Sequence, residues 1–186
     1  MNKRFGAAAF LVYSFLGGGT VLANGPDDIW LLVETRPHVL KVMEGDQPKE
    51  VFGRIAIGTK GASYEKRQGD DKTPLGEYRI GWINESSKFH NFFGLTYPNM
   101  ANSRRAYEAG LIDEPTFQTL LQTDLNESIP PQDTELGGQI GIHGIGSGSR
   151  HIHDNFDWTH GCIALTNEEI DRLKQWVKKG TLVVIR

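Results

Sequence analysis

Apolar and polar positions alternate with a period of two over much of the first half of the chain. Ile29-Trp30-Leu31-Leu32-Val33 is a short apolar run, and His38-Val39-Leu40-Lys41-Val42-Met43 alternates before the turn residues Glu44-Gly45-Asp46. Val51 to Ile57 reads as the next strand, so the domain is predicted to begin as an antiparallel meander. Gly58 to Lys72 is polar and glycine-rich and reads as a loop. It leads through a turn at Thr73-Pro74-Leu75-Gly76 into a strand from Glu77 to Ile83, with Tyr78 packed in the sheet.

The period then changes. Residues from about 99 to 123 are predicted to be helical, with a stop at Gly110 and a second start at Pro115. Asp113 or Glu114 supplies the second cap, and Phe117, Leu120 and Leu121 share a face. Ile129-Pro130-Pro131 breaks the pattern. Gln139 to His143 reads as a buried strand and 144–159 as a loop. A helix over 167–179 is capped by Thr166 or Asn167 and places Ile170, Leu173, Trp176 and Val177 at helical spacing. Gly180 ends it, and Thr181 to Ile185 is a last strand. The predicted fold is mostly β, a sandwich-like or mixed sheet with a few helices. The helical insert at about 99–123 is either a lid beside a site or a pair of helices covering one face of the sheet.

The first residues change the picture. Lys3 and Arg4 precede an apolar run from Phe5 to Leu16, then Gly17-Gly18-Gly19 and Val21-Leu22-Ala23. This is the pattern of a secretory signal peptide over 1–23, cut after Ala23, with the mature domain over 24–186. The alternative of an uncleaved anchor is weaker, because the run is short for a span and broken by glycines. The expectation is export to the periplasm or cell envelope, with no stable membrane span after cleavage. The 186-residue chain carries a net charge of −3, and losing 1–23 removes two basic residues and no acidic one. With no basic stripe either, nothing supports nucleic-acid binding.

Cys162 is the single cysteine. Exported proteins usually hold cysteines in disulfide pairs, so an unpaired thiol there points to chemistry. The densest chemical signal surrounds it: His143, fifteen residues beginning with Gly144, then Thr159-His160-Gly161-Cys162. A thiol is only slightly ionised near neutral pH, and an imidazole can take its proton. His143 ends a predicted strand and Cys162 precedes a predicted helix, so two rigid elements can bring base and nucleophile together. The competing reading of Cys162, a small buried core residue, fits the residue alone but not the paired motif.

These residues resemble the signature of the L,D-transpeptidase (YkuD) family: a histidine, a gap of that size, then Ser/Thr-His-Gly-Cys. Gly69-Asp70-Asp71-Lys72-Thr73-Pro74-Leu75-Gly76-Glu77-Tyr78 and Ile140-Gly141-Ile142-His143 are similar to the family's upstream elements. The resemblance implies a peptidoglycan enzyme of cell-wall organisation and cell shape. It would attack the amide between a diamino acid and a terminal D-alanine in a tetrapeptide stem, pass through a thioester, and hand the acyl group to an amine. Cys162 would be nucleophile and His143 general base, oriented by the carbonyl of Gly144. His160, Gly161 and Cys162 would shape the oxyanion site. Thr159, Trp158 and Arg150 are the candidates for substrate contact, with core packing the competing reading for Trp158 and for Phe156. No metal or organic cofactor is implied.

The chain departs from the family at one point. Many members have arginine two residues after the cysteine, where this chain has Ala164. Alanine cannot make a bidentate contact to a carboxylate. Arg150 is the candidate substitute. Three other functions stay open: a carboxypeptidase or amidase on the same scaffold, a wall-binding protein without turnover, and a zinc hydrolase. The zinc reading draws on His151 and His153 with His143, His160 and Cys162, although the family motif accounts for three of these without metal. The helix over 167–179 is expected to pack behind the nucleophile, its N-terminal dipole favouring a thiolate.

Overall fold

A computed structural model describes residues 28–186. The predicted signal peptide lies outside the described residues. The chain runs β1 (Ile29–Glu34), β2 (Val39–Glu44), β3 (Gln47–Gly53), β4 (Ala62–Ser63), β5 (Thr73–Pro74), β6 (Gly76–Ser87), β7 (His90–Leu95), α1 (Met100–Glu108), α2 (Glu114–Leu125), β8 (Gly141–His143), α3 (Arg150–Asn155), β9 (Ile163–Ala164), α4 (Asn167–Lys174) and β10 (Leu182–Ile185). Eight strands form one mixed sheet in the order β3-β2-β1-β10-β6-β7-β8-β9, and β4 pairs with β5 beside it. The pairs β1–β10 and β8–β9 are parallel, and the other neighbours in the large sheet are antiparallel.

Strand alternation sets which side is buried. Leu31 and Val33 of β1, Leu40 and Val42 of β2, and Val183 and Ile185 of β10 point into one core. Burying each such side chain stabilises the fold by roughly 1.5–3 kcal/mol. The long strand β6 joins two halves of the sheet, with Gly76–Arg79 pairing to β10 and residues from Ile80 onward pairing to β7. After β3 the chain turns at Arg54, whose φ of 57° is left-handed, and crosses to the far edge. There Ala56 exchanges two backbone hydrogen bonds with Ala164, at 3.0 and 2.8 Å. The two edges are thereby tied together next to β9.

The meander, the 99–123 helices and the last strand lie where the alternation places them, with differences at their ends. β3 starts at Gln47 rather than Val51. The tight turn at Gly45 forces pairing to begin at once, and the first residues of β3 are exposed and polar, so hydrophobicity does not mark them. Asn99 caps α1 and Asp113 caps α2. Ala106, Ile112 and Leu120 from this region enter the core, so these helices cover the sheet. The predicted 144–159 loop contains the short helix α3, capped by Ser149. The last helix ends at Lys174 rather than 179. Trp176 lies beyond it, held by its indole N–H on Glu50 at 2.6 Å. Among the described residues, no helix is long and apolar enough to cross a membrane.

Candidate active site

β8 and β9 run parallel, with Ile142 opposite Ile163 and His143 opposite Ala164. Continuing that register sets Cys162 beside Gly141. Residues two apart share a face of a strand, so His143 and Cys162 project from the same side of the sheet. Gly141 adds no side chain between them, and a Cβ there would lie 2.5 Å from the Phe92 ring.

His143 is enclosed. Its ring stacks on Phe89 at 4.3 Å and on Phe92 at 5.9 Å between centroids, and Trp158 meets it edge-on at 5.8 Å. Burial pushes the imidazole down to about 4, against the upward pull of the Gly144 carbonyl bond. The ring is therefore neutral at physiological pH. Its Nδ1 lies 2.7 Å from the Gly144 carbonyl oxygen, which can only accept. Nδ1 therefore carries the proton, and Nε2 has a free lone pair.

Cys162 is half-buried, and its thiol donates to the Gln139 carbonyl at 3.4 Å. Burial pushes the thiol up to about 11, while the Gly141 backbone and the charge of Lys66 pull it down. The resting pair is thus a neutral thiol and a neutral imidazole. Attack by sulfur requires the proton to leave as the bond forms, which is general-base chemistry rather than a preformed ion pair.

The turn before Cys162 is clamped. The Thr159 hydroxyl donates to the Cys162 carbonyl at 2.7 Å and accepts from the Gly161 N–H at 3.1 Å. The Thr159 backbone joins Ile57 and Thr59 at 3.1 and 3.0 Å. Gly161 has φ 129°, and a Cβ there would lie 2.6 Å from the Lys72 carbonyl. Only glycine fits this position.

Of the other candidate residues, His160 and Arg150 stand apart from this pair, whereas Trp158 packs edge-on against His143. The His160 side chain is 89% exposed and bonds Asp71 at 2.8 Å. That bond holds the Asp71 carboxyl below the usual carboxylate range. Trp158 donates weakly to His153 Nδ1 at 3.4 Å. Arg150 is tied to Asp154 at 2.8 Å on the surface of α3. His151 is exposed and His153 buried. Among the described residues, no three His, Cys, Asp or Glu side chains converge to hold a metal ion. The N-terminus of α4 abuts Gly144, the neighbour of His143: a Cβ on Gly144 would meet Asn167 Oδ1 at 2.7 Å and Ile170 at 3.0 Å. Strand β9 and its two following residues separate Cys162 from the start of that helix along the chain, so the cysteine does not directly precede the helix as expected.

Residues that the sequence did not single out for chemistry complete the site. Phe89 and Phe92 set the environment of His143. Gln139, in a left-handed conformation at φ 56°, offers the carbonyl that holds the thiol. Asn167 pins the loop after His143 through two 2.8 Å bonds to Gly146. Lys66 is buried in the segment that reads as a solvated loop. Its only sequence signal is Asp70 four residues later.

The profile of the L,D-transpeptidase catalytic domain matches residues 28–185. Among solved structures, Pgp2, the helical cell shape determining protein from Campylobacter jejuni, is similar with TM-score 0.57 and 24% identity, over 86% of this chain and 48% of that one. Bd1075 from Bdellovibrio bacteriovorus gives TM-score 0.52 and 20% identity, over 86% and 48%. An Enterococcus faecium L,D-transpeptidase gives 0.50 and 12%, over 86% and 50%. The chain therefore spans about half the length of these proteins, and at such identities they speak to fold alone. Among curated proteins none matches. The domain-wide match, from the first strand to the last, makes the chain a member of the L,D-transpeptidase (YkuD) catalytic domain family.

Proposed function

We propose that the protein is a cysteine-dependent L,D-transpeptidase acting on peptidoglycan tetrapeptide stems in the cell envelope. The Cys162 sulfur attacks the carbonyl of the diamino acid while His143 Nε2 takes the thiol proton. The bond to the terminal D-alanine breaks, and the imidazolium returns the proton to the departing amine. A thioester remains on Cys162. The amine of a second stem then attacks the thioester, loses its proton to Nε2, and restores the thiol. The Gly161 N–H is already held by Thr159, so the N–H of Cys162 is the better donor to the oxyanion. Thr159 acts by positioning the turn. The His160 side chain, directed at Asp71, contributes at the rim.

One observation carries this reading. The Nδ1–H of His143 is fixed on the Gly144 carbonyl, so the free lone pair is on Nε2, on the face of the sheet shared with Cys162. The match of residues 28–185 to the L,D-transpeptidase catalytic domain supports an action on the wall.

A second reading is hydrolysis of the same thioester, by a carboxypeptidase or amidase. Ala164 favours it. This residue is wholly buried between His143 and Ala56, where an arginine would bring its charge out of water at a cost of several kcal/mol unless paired (roughly, by analogy with buried ions generally). A guanidinium for the acceptor or donor carboxylate is therefore missing at this position. Disaccharide-tetrapeptide muropeptides, incubated with the protein and with Cys162→Ala, separate the outcomes by mass spectrometry. Cross-linked dimers or D-amino-acid exchange indicate transfer. Shortened monomers alone indicate hydrolysis. Unchanged substrate with both proteins removes the proposal.

A further inference from the structure

Lys66 lies between β4 and β5, and its side chain is only 4% exposed. Lysine is almost never buried to that degree unless paired. Its ammonium donates to Asp70 at 2.8 Å and to the Arg67 carbonyl at 3.4 Å. Asp70 is shared, because it also accepts from the N–H of Arg67 at 2.8 Å and of Lys72 at 3.0 Å. Burial alone would raise the Asp70 carboxyl, but these bonds outweigh it and hold the group ionised, below its usual value. An ammonium has three donors. Among the described residues, that of Lys66 has two acceptors.

The lysine stem runs under the turn that carries the nucleophile. A Cβ on Gly161 would stand 3.3 Å from Lys66 Cε, so the last methylene packs against the residue preceding Cys162. The other sources of positive charge that the sequence offered for this role lie elsewhere. Position 164 is alanine, Arg150 is bound to Asp154 at the surface, and the N-terminus of α4 abuts Gly144.

We infer that Lys66 is the cation that stabilises the Cys162 thiolate as it develops during acyl transfer. The inference rests on the reading of Cys162 as nucleophile. A nearby opposite charge favours an ionised thiol, and the Lys66 stem packs on Gly161, the neighbour of Cys162. The groups around the thiol are neutral His143 from β8, Lys66 with its counter-ion Asp70 from the segment before β5, half-buried Lys72, whose carbonyl meets Gly161, and Asp71, which is bonded to His160 and Lys60. Lys66 is thus the buried positive charge among them. Its effect on the thiol is downward, against burial.

Because Cys162 is the single cysteine of the chain, iodoacetamide alkylation of the intact protein reports on it alone. Lys66→Met keeps the length of the stem and removes the charge. Its alkylation is expected to be about tenfold slower than wild type at each pH below the thiol midpoint. Lys66→Arg is expected to stay within about twofold of wild type. A folded Lys66→Met protein alkylated at the wild-type rate overturns the inference. If Lys66→Met fails to fold by circular dichroism, Asp70→Asn decides. Removing the competing carboxylate is expected to speed alkylation several-fold, and a rate no faster than wild type overturns the inference. No muropeptide enters this assay. Failure here leaves the stem-peptide reading intact, and Lys66-dependent alkylation in a protein inactive on muropeptides would sink only that reading.

Discussion

Two walls flank Cys162, and they are built from opposite materials. The β8 side is aromatic and dry, with His143 only 2% exposed between Phe89, Phe92 and Trp158. The opposite side, from Gly58 to Lys72, is polar and charged, with Lys66, Asp70 and Asp71 tied into local pairs. His160 belongs to that second wall even though it stands only two residues from the cysteine. His143 is kept neutral by exclusion of water. In the proposed mechanism the Cys162 thiol, pushed up to about 11 by burial, needs both a base and a nearby cation, and one wall would supply each.

Breaking the dry wall at its centre has the largest expected effect. His143→Ala should lower turnover of tetrapeptide substrate by about 10²–10⁴-fold while the fold survives, as measured by steady-state kinetics alongside a thermal melt. A loss below tenfold would separate His143 from proton transfer.

Next comes the dependence of stability on pH. The folded-state value of His143 is about 4, below the ordinary 6.5 of the unfolded chain. As pH falls, the unfolded state takes up the proton first. The contribution is fully present above about 6.5 and is lost, by roughly 3 kcal/mol, as pH falls to about 4. Below that, His143 adds no further slope. Denaturant unfolding across this window should show the decline, and His143→Phe should flatten it.

Opening the wall is subtler. Phe89→Ala admits water to the imidazole, so the His143 midpoint should rise from about 4 toward 6.5. NMR titration of the ring protons reads this directly, and an unmoved midpoint would mean that Phe92 and Trp158 alone exclude water. The smallest effect is expected on the charged wall's outer edge. His160→Ala removes an exposed ring bonded only to Asp71, and should shift the melting temperature by no more than about 2 °C. Turnover should change less than about fivefold. A loss as large as that of His143→Ala would bring the His160 ring into the reaction.

The same contrast explains what the sequence discloses. β1, β2 and β10 are legible because each buries one face, so alternation marks them. His143 and Cys162 are legible because one cysteine stands in a motif with a histidine at a fixed distance. α3 is not, since six residues with an exposed Ile152 show no apolar stripe. The overlong last helix has the converse cause: Trp176 and Val177 pack against the core at helical spacing without being helical. Lys66 reads as one more charge in a polar loop, because only the tertiary fold lays the Gly161 turn over it. The left-handed Gln139 and the aromatic stack on His143 also depend on contacts across the sheet, which local pattern does not encode.

The account turns on a thioester at Cys162, whichever acceptor resolves it. Release of free D-alanine from a disaccharide-tetrapeptide, followed over time for the wild-type protein and for Cys162→Ala, tests it most directly, since transfer and carboxypeptidase hydrolysis both begin with that release. The account predicts D-alanine from the wild type and none above background from the variant. Equal release from both proteins, or none from the wild type, would contradict it.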